Sequence, residues 1–215
     1  MTVGTALSRS EVGGLRERRK DERRRRIIAA ARAVFRERGF DDATTAEIAK
    51  RAAVGTGTLF RYATDKHELL LMVLNDELAA ITDASIAGID RRRSLLTQLV
   101  EFYRPRFEFW GADLALARAA TVQVYASRPP GGKPERARIE LRQRRLVAAI
   151  GDILQSYAAM KGLRLREDPD LIASSIHYMY IGELRVWLGE PAPRIEAVMV
   201  RLRRLFSLVV HGIFE

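Results

Sequence analysis

Cysteine is absent from all 215 residues, so neither disulfides nor thiolate chemistry is open to this chain. Histidine is scarce. His67, His177 and His211 lie far apart, and none has a carboxylate or second histidine at a metal-like spacing. No run of about 18 apolar residues occurs and the N-terminus lacks an apolar signal core, which predicts a soluble cytoplasmic protein with no membrane partner. Alternation of apolar and polar residues is missing as well. There is thus no strand for a phosphate loop to follow, and G-x-S-x-G does not occur. These absences argue against an enzyme and against a resident cofactor.

What is present is a helical chain with an uneven charge. Apolar residues make up 47%, enough for a full core in one or two domains. The net charge is +10, and residues 1–66 carry 16 Lys/Arg against 9 Asp/Glu, leaving about +3 for the other 149. A basic N-terminal third is what a polyanion partner requires. Only five of the 37 basic residues are lysine. Arginine richness can follow from composition bias and carries no functional weight by itself.

Thr44 is a favourable helix N-cap, and Glu47 three residues on completes a capping box, so a helix starts here. Ile48, Ala49 and Ala52 form its apolar face. The pattern breaks at Ala53-Val54-Gly55, and Gly55 caps a second short helix expected over Thr56 to Tyr62, with Leu59 inward. Two short helices around a tight turn are the plan of a helix-turn-helix, whose second helix enters the major groove. Thr56, Thr58, Arg61 and Tyr62 lie on its exposed side, in reach of phosphates or base edges. On geometry alone, a plain αα-hairpin with a polar outer face is the competing reading.

From Thr44 to Leu70 the chain resembles the TetR family of transcriptional repressors. Its signature runs roughly T-T-x-x-I-A-x-x-A-G-V-S-x-G-T-L-Y-x-Y-F-x-x-K-x-x-L-L. Thr44, Thr45, Ile48, Ala49, Ala52, Val54, Gly57, Thr58, Leu59, Tyr62, Lys66, Leu69 and Leu70 fall in register without a gap. Ala53, Gly55, Phe60 and Ala63 depart, standing where the family has Gly, Ser, Tyr and Phe. Ala53 strains the turn if its φ is positive, and Ala63 loses core volume. The resemblance is specific here and only architectural beyond. It implies an all-α fold with three helices in a DNA-binding head and six in a body, a homodimer, a duplex DNA operator and a small-molecule inducer. It also implies that Lys66 meets a phosphate at a helix N-terminus. The candidate DNA contacts are Thr45, Thr56, Thr58, Arg61, Tyr62 and Lys66, with Arg23 and Arg24 of the basic run RERRKDERRRR.

In chain order, residues 1–15 read as a mobile tail, 16–64 as the helix-turn-helix domain and 65–215 as a helical ligand-binding and dimerisation domain. The first helix, from Arg16, carries Ile27, Ile28, Ala31, Val34 and Phe35 on one face, and Gly39 stops it. Asp65 caps a long helix that ends near Gly88. Further helices are expected over 91–110, kinked at Pro105, then over 113–127, 135–161 and 168–188. On the last helix Ile195, Val198, Leu202, Leu205, Phe206 and Val209 form an apolar stripe with little chain left to cover it, which predicts a partner helix from a second copy. Tyr103, Phe107 and Trp110 share a helical face. Together with Tyr125, Tyr157, His177 and Tyr178 they either fill a core or line an apolar ligand cavity. A transcriptional repressor released by a small hydrophobic or aromatic ligand is the reading of the whole. The alternative is a helical lipid-binding or membrane-surface protein, which liposome flotation without duplex binding would favour.

Overall fold

The computed structural model describes residues 9–124 and 134–214. Among them are nine helices, α1 Arg9–Asp42, α2 Thr45–Arg51, α3 Thr56–Leu59, α4 Lys66–Ala87, α5 Leu95–Gly111, α6 Leu114–Val124, α7 Pro134–Lys161, α8 Pro169–Gly189 and α9 Ile195–Val210. The only β-pairing among these residues is an isolated bridge between Leu165 and Phe214. The all-α class is thereby realised. None of the described helices is long and apolar enough to cross a membrane. The chain divides into two compact units, one ending at Val73 and the other starting at Leu74.

In the first unit α1 begins earlier than Arg16. Residues 9–15, expected to belong to a tail, are helical, while residues 1–8 lie outside the described part. Extending a helix that is already nucleated adds one hydrogen bond per residue fixed, so a polar segment can continue it. Gly39, at φ 76, breaks the helical path as a residue without Cβ can, and the chain regains a helical turn through Asp42. Ile27, Ala31, Val34 and Phe35 from α1 are buried, as are Ile48 and Ala49 from α2, Leu59 from α3 and Leu69 and Leu70 from α4.

Local chemistry explains the short elements. Thr44 Oγ1 accepts from the Glu47 N–H at 3.2 Å, so the cap forms. The Glu47 carboxylate faces Arg38 at 3.5 Å, which makes the capping one-sided. Helix α3 is only four residues long, shorter than the span expected to Tyr62. Gly55 gives it no side-chain cap, and two threonines and a glycine are weak helix formers. Phe60 to Ala63 continue as tight turns, with the N–H groups of Tyr62 and Ala63 both donating to the Leu59 carbonyl. At the start of α4, Asp65 Oδ1 accepts from the Glu68 N–H at 2.8 Å, and Glu68 Oε2 accepts in return from the Thr64 N–H at 3.0 Å. This second cap is reciprocal.

In the second unit α5 starts at Leu95 under a Ser94 cap, not at Arg91, and runs through Pro105 to Gly111. Helix α8 starts as expected, with Asp168 accepting from the N–H groups of Asp170 and Leu171 and Pro169 in its first turn. Gly162, at φ 65, ends α7. Helix α5 packs on α9, α7 on α8, and α8 on α9. Half of the apolar stripe of α9 is therefore closed within the chain. Val198, Leu202 and Phe206 are buried within their own chain, and Ile195, Leu205 and Val209 are half-buried. Helix α5 packs along α9, with the Phe206 ring 5.7 Å from that of Tyr103.

Ala53 is the one non-glycine residue with positive φ among those described, at 52°. A left-handed alanine costs roughly 1–2 kcal/mol, and glycine returns roughly 0.5–1 kcal/mol of that through its freer unfolded state. Ala53→Gly should therefore stabilise the head by somewhat under ~1 kcal/mol net. Urea denaturation of both proteins measures this, and an unchanged or lower midpoint in the glycine variant would count against a strained turn.

Candidate functional site

The head presents a polar surface at its second short helix. Thr56 and Arg61 are exposed, and Thr45, Thr58 and Tyr62 half-exposed. Phe60 stands beside them at 45% exposure, a large apolar ring on the reading face that only its place in the register had marked. Tyr62 is partly committed, since its hydroxyl donates to the Lys20 carbonyl at 3.4 Å. Lys66 is more so. Its ammonium donates to the Asp41 carbonyl at 2.7 Å and lies 4.7 Å from the centre of the Phe40 ring. These contacts offset the unfavourable placing of a cation in the first turn of a helix. An ammonium has three N–H groups, so a phosphate could still be reached. On α1, Arg23 and Arg24 are half-buried, whereas Arg16, Arg18, Arg19, Lys20, Arg25 and Arg26 are exposed.

The body holds an open cavity of about 760 Å³ between α7 and α8, with Val124 of α6 also in its lining. Helix α7 contributes Arg136, Ile139, Arg144 and Val147 to its wall, and α8 contributes Asp170, His177, Tyr178 and Ile181. Of the six ligand candidates among the described residues, His177 and Tyr178 line it. Tyr103, Phe107 and Trp110 do not. They are fully buried on the α5 face that packs against α8 and α9, where Tyr103 stacks on Tyr180 at 4.3 Å and Phe107 meets Trp187 edge-on at 5.4 Å. Rings that fill each other's space leave none for a ligand. Tyr157 is also away from the cavity, with Phe214 6.0 Å from its ring. Tyr125 lies outside the described residues.

A set of buried polar residues is not apparent from the sequence pattern. Arg142 is buried and donates to Asn75 Oδ1 at 2.6 Å, while the Asn75 amide donates to the carboxylate of buried Glu135 at 2.8 Å. Arg106 is 2% exposed and donates through Nη2 to Thr82 Oγ1 at 2.6 Å. His177 is buried with Nδ1 3.1 Å from the Tyr103 hydroxyl. The available signal was Arg106 itself, a charge three residues after Tyr103 and four before Trp110, hence on the aromatic face of its helix. Among the described residues no group of three metal-binding side chains forms.

Residues 27–73 match the model of the bacterial regulatory proteins of the tetR family. The HTH-type transcriptional regulator HbdR of Aromatoleum sp. (strain CIB) is 35% identical over 107 residues, half of this chain and 45% of its own. The HTH-type transcriptional activator FasR of Mycolicibacterium smegmatis is 27% identical over 177 residues, 81% of this chain and 76% of its own. Thus the alignment spans less than half of HbdR. Among solved structures, FadR of Thermus thermophilus, a TetR-family repressor in complex with lauroyl-CoA, superposes with a TM-score of 0.69 at 24% identity. It covers 88% of this chain and 94% of its own. FadR of Bacillus subtilis in complex with stearoyl-CoA gives 0.65 at 19% identity, over 87% and 98%. At these identities the likeness is one of fold.

Burial, then the charges of Arg106 and Arg142, hold the His177 pKa down at about 4 against its ordinary 6.5. Between those values the unfolded chain takes up a proton that the folded chain refuses. Stability is therefore complete above pH 6.5 and falls as the pH drops toward 4, by about 3 kcal/mol at most. Urea midpoints of wild type and His177→Asn, followed from pH 7.5 to 4, should converge at the acid end. Parallel curves would mean that His177 is protonated in the fold.

Proposed function

The chain belongs to the tetR family of bacterial regulatory proteins through its head, and from that membership we infer that it is a homodimeric DNA-binding regulator that represses from a near-palindromic operator. The observation that carries this reading is the Thr44–Leu70 register, realised as two short helices, the first capped by Thr44, with Thr56 and Arg61 exposed. The basic end of α1 supplies further positive charge for the duplex backbone. Two recognition helices must then lie about one DNA turn apart, ~34–36 Å.

The cavity between α7 and α8 is where a small molecule would act. A ligand favouring a body shape with another helix spacing weakens DNA binding by its differential affinity for the two shapes. The acyl-CoA molecules bound by the two FadR structures support an acyl compound as the ligand class. The cavity has room for such a chain and offers it Val124, Ile139, Val147 and Ile181. Repression is favoured over activation by the Thermus FadR, a repressor, although FasR is an activator.

Dimerisation is assigned to the outer faces of α8 and α9 in place of the stripe that α5 covers. Tyr178 and Val186 on α8 and Leu208 on α9 are large apolar side chains at 70%, 61% and 76% exposure. Such positions on neighbouring helices fit a second copy. Val186→Glu with Leu208→Glu should give folded monomers by sedimentation and circular dichroism, with operator binding much reduced. Leu202→Glu should instead unfold the chain, because that residue is in the core. A double variant that stays dimeric would move the interface elsewhere.

Arg61 and Lys66 should affect DNA differently. The exposed guanidinium of Arg61 can pair with guanine O6 and N7, so Arg61→Ala should cost ~1–3 kcal/mol and relax base preference at one position per half-site. Lys66→Ala should weaken all duplexes alike and lower the slope of log affinity against log salt by about 1 for each phosphate left without its cation. Titration of both variants on operator and scrambled duplex at several salt concentrations separates the two. Equal weakening of both duplexes by Arg61→Ala would make Arg61 a backbone contact.

A further inference from the structure

We propose that Phe60 is a specificity-determining residue whose ring packs on the C5-methyl group of a thymine in the major groove, and that the bare backbone at Gly57 brings α3 close enough for this contact. The proposal rests on the reading that the head binds duplex DNA. It deepens that reading by naming one base of the half-site and the side chain that selects it.

Phe60 is the first observation. Thr56, Gly57, Phe60 and Arg61 form the outward face of α3 and the turn after it, while Leu59 and Ala63 are buried behind them. The Phe60 N–H donates to the Thr56 carbonyl at 3.1 Å, which sets Phe60 one helical turn beyond Thr56 and beside Arg61. Among the described residues up to Val73, Phe60 is the one large hydrophobic side chain that is exposed. Other rings of this unit have partners: Phe40 lies 5.5 Å from Phe35 and 5.1 Å from His67. No ring of a described residue lies against Phe60. Single exposed apolar residues are ordinary on a protein surface. This one stands between a hydroxyl and a guanidinium on the face expected to meet bases. It has no hydroxyl of its own, unlike the tyrosine of the family signature, so only an apolar group can reward it. The thymine methyl is the apolar group that the major groove presents.

Gly57 is the second observation, and it is independent of the first. It sits inside a helix of only four residues, although glycine is the poorest helix former after proline. Neither of the usual internal reasons for a glycine applies to it. Its φ is not positive, in contrast to Gly39 and Gly162, and a Cβ added there would meet nothing within 4 Å. Gly55 is equally unobstructed, and it forgoes the side-chain cap that α3 lacks. Nothing within the head calls for these missing side chains. A surface pressed against them from outside does, because glycine lets backbone approach a ligand closely. Gly57 precedes Phe60 by three residues and Arg61 by four, so all three share one face. With α3 seated deeply, the ring reaches the methyl-bearing edge of a base as Arg61 pairs with a guanine of the same half-site. Ring and methyl then leave water together, which the free protein cannot achieve for either.

The test uses the full-length protein and duplexes that the wild type selects from a random pool, with affinities from fluorescence anisotropy. Each thymine of a half-site is replaced in turn by deoxyuridine, which removes the methyl and leaves the hydrogen-bonding edges intact. At the read position this should weaken wild-type binding about four-fold, and about sixteen-fold when both half-sites are changed, as expected for one buried carbon group per site. Phe60→Ala should bind thymine and deoxyuridine alike at that position, and Phe60→Leu should keep most of the discrimination. Both variants should melt at the wild-type temperature, since the ring is exposed. Gly57→Ala should melt higher and bind every selected duplex more weakly. Selected half-sites without thymine, or wild-type binding that no deoxyuridine weakens, overturn the proposal. A methyl preference that survives in Phe60→Ala overturns it too, by giving the methyl to another side chain. A lower melting temperature of Phe60→Ala assigns the ring to the fold, and altered sedimentation with unchanged duplex affinity assigns it to a protein contact. Undiminished binding by Gly57→Ala overturns the role of that residue. In all these cases duplex binding by the wild type leaves the regulator reading standing. If the wild type selects no duplex, the regulator reading fails and the proposal falls with it.

Discussion

The body is organised by the packing of one aromatic face. Tyr103 and Phe107 on α5 are closed off by Tyr180 and Trp187 of α8 and by Phe206 of α9, and Trp110 on the same helix is buried. Offset and edge-on ring pairs at these separations add to a large burial of apolar area. Several other features follow. Val198, Leu202 and Phe206 of the α9 stripe are spent inside their own chain. With the rings packed against one another, the open space lies instead between α7 and α8. Arg106, fixed to the same α5 face, is carried into the interior.

Two kinds of buried charge result. The Asn75, Glu135, Arg138 and Arg142 group is a connected network in which the carboxylate meets both an amide and a guanidinium. Such networks order a core when every member is satisfied. Arg106 has a hydroxyl on one side and nothing on the other.

The head depends on local chemistry to a greater degree. Thr44 and Asp65 set the starts of α2 and α4 by accepting backbone N–H groups, and Lys66 ties α4 back to the Asp41 carbonyl at the end of α1. Between these two caps the four-residue α3 is held by one buried side chain, Leu59. That leaves its polar flank and the Phe60 ring facing outward.

Caps, breaks and periodicity are short-range properties, and for this reason the sequence alone determined the all-α class, the helix-turn-helix register and the consequence of Ala53. Thr44, Gly39, Asp168 and Gly162 act on neighbours within one turn, so their effects are visible in a few consecutive letters. The length of α3 and the start of α1 at Arg9 were less legible, since weak helix formers and a polar extension are decided by small differences in propagation. What covers an apolar stripe was not legible at all. Val198, Leu202 and Phe206 look the same in sequence whether a partner copy or α5 lies over them, because periodicity gives a face and not its neighbour. The same holds for the rings: the spacing of Tyr103, Phe107 and Trp110 put them on one side of α5, but only the opposing Tyr180 and Trp187, some 70 to 80 residues away, made that side solid core. Tertiary packing likewise decided that His177 and Tyr178, adjacent in sequence, are respectively buried and exposed at a cavity wall. It also decided that Arg106 is enclosed without a counter-charge, because long-range helix pairing alone fixes which acids come within reach.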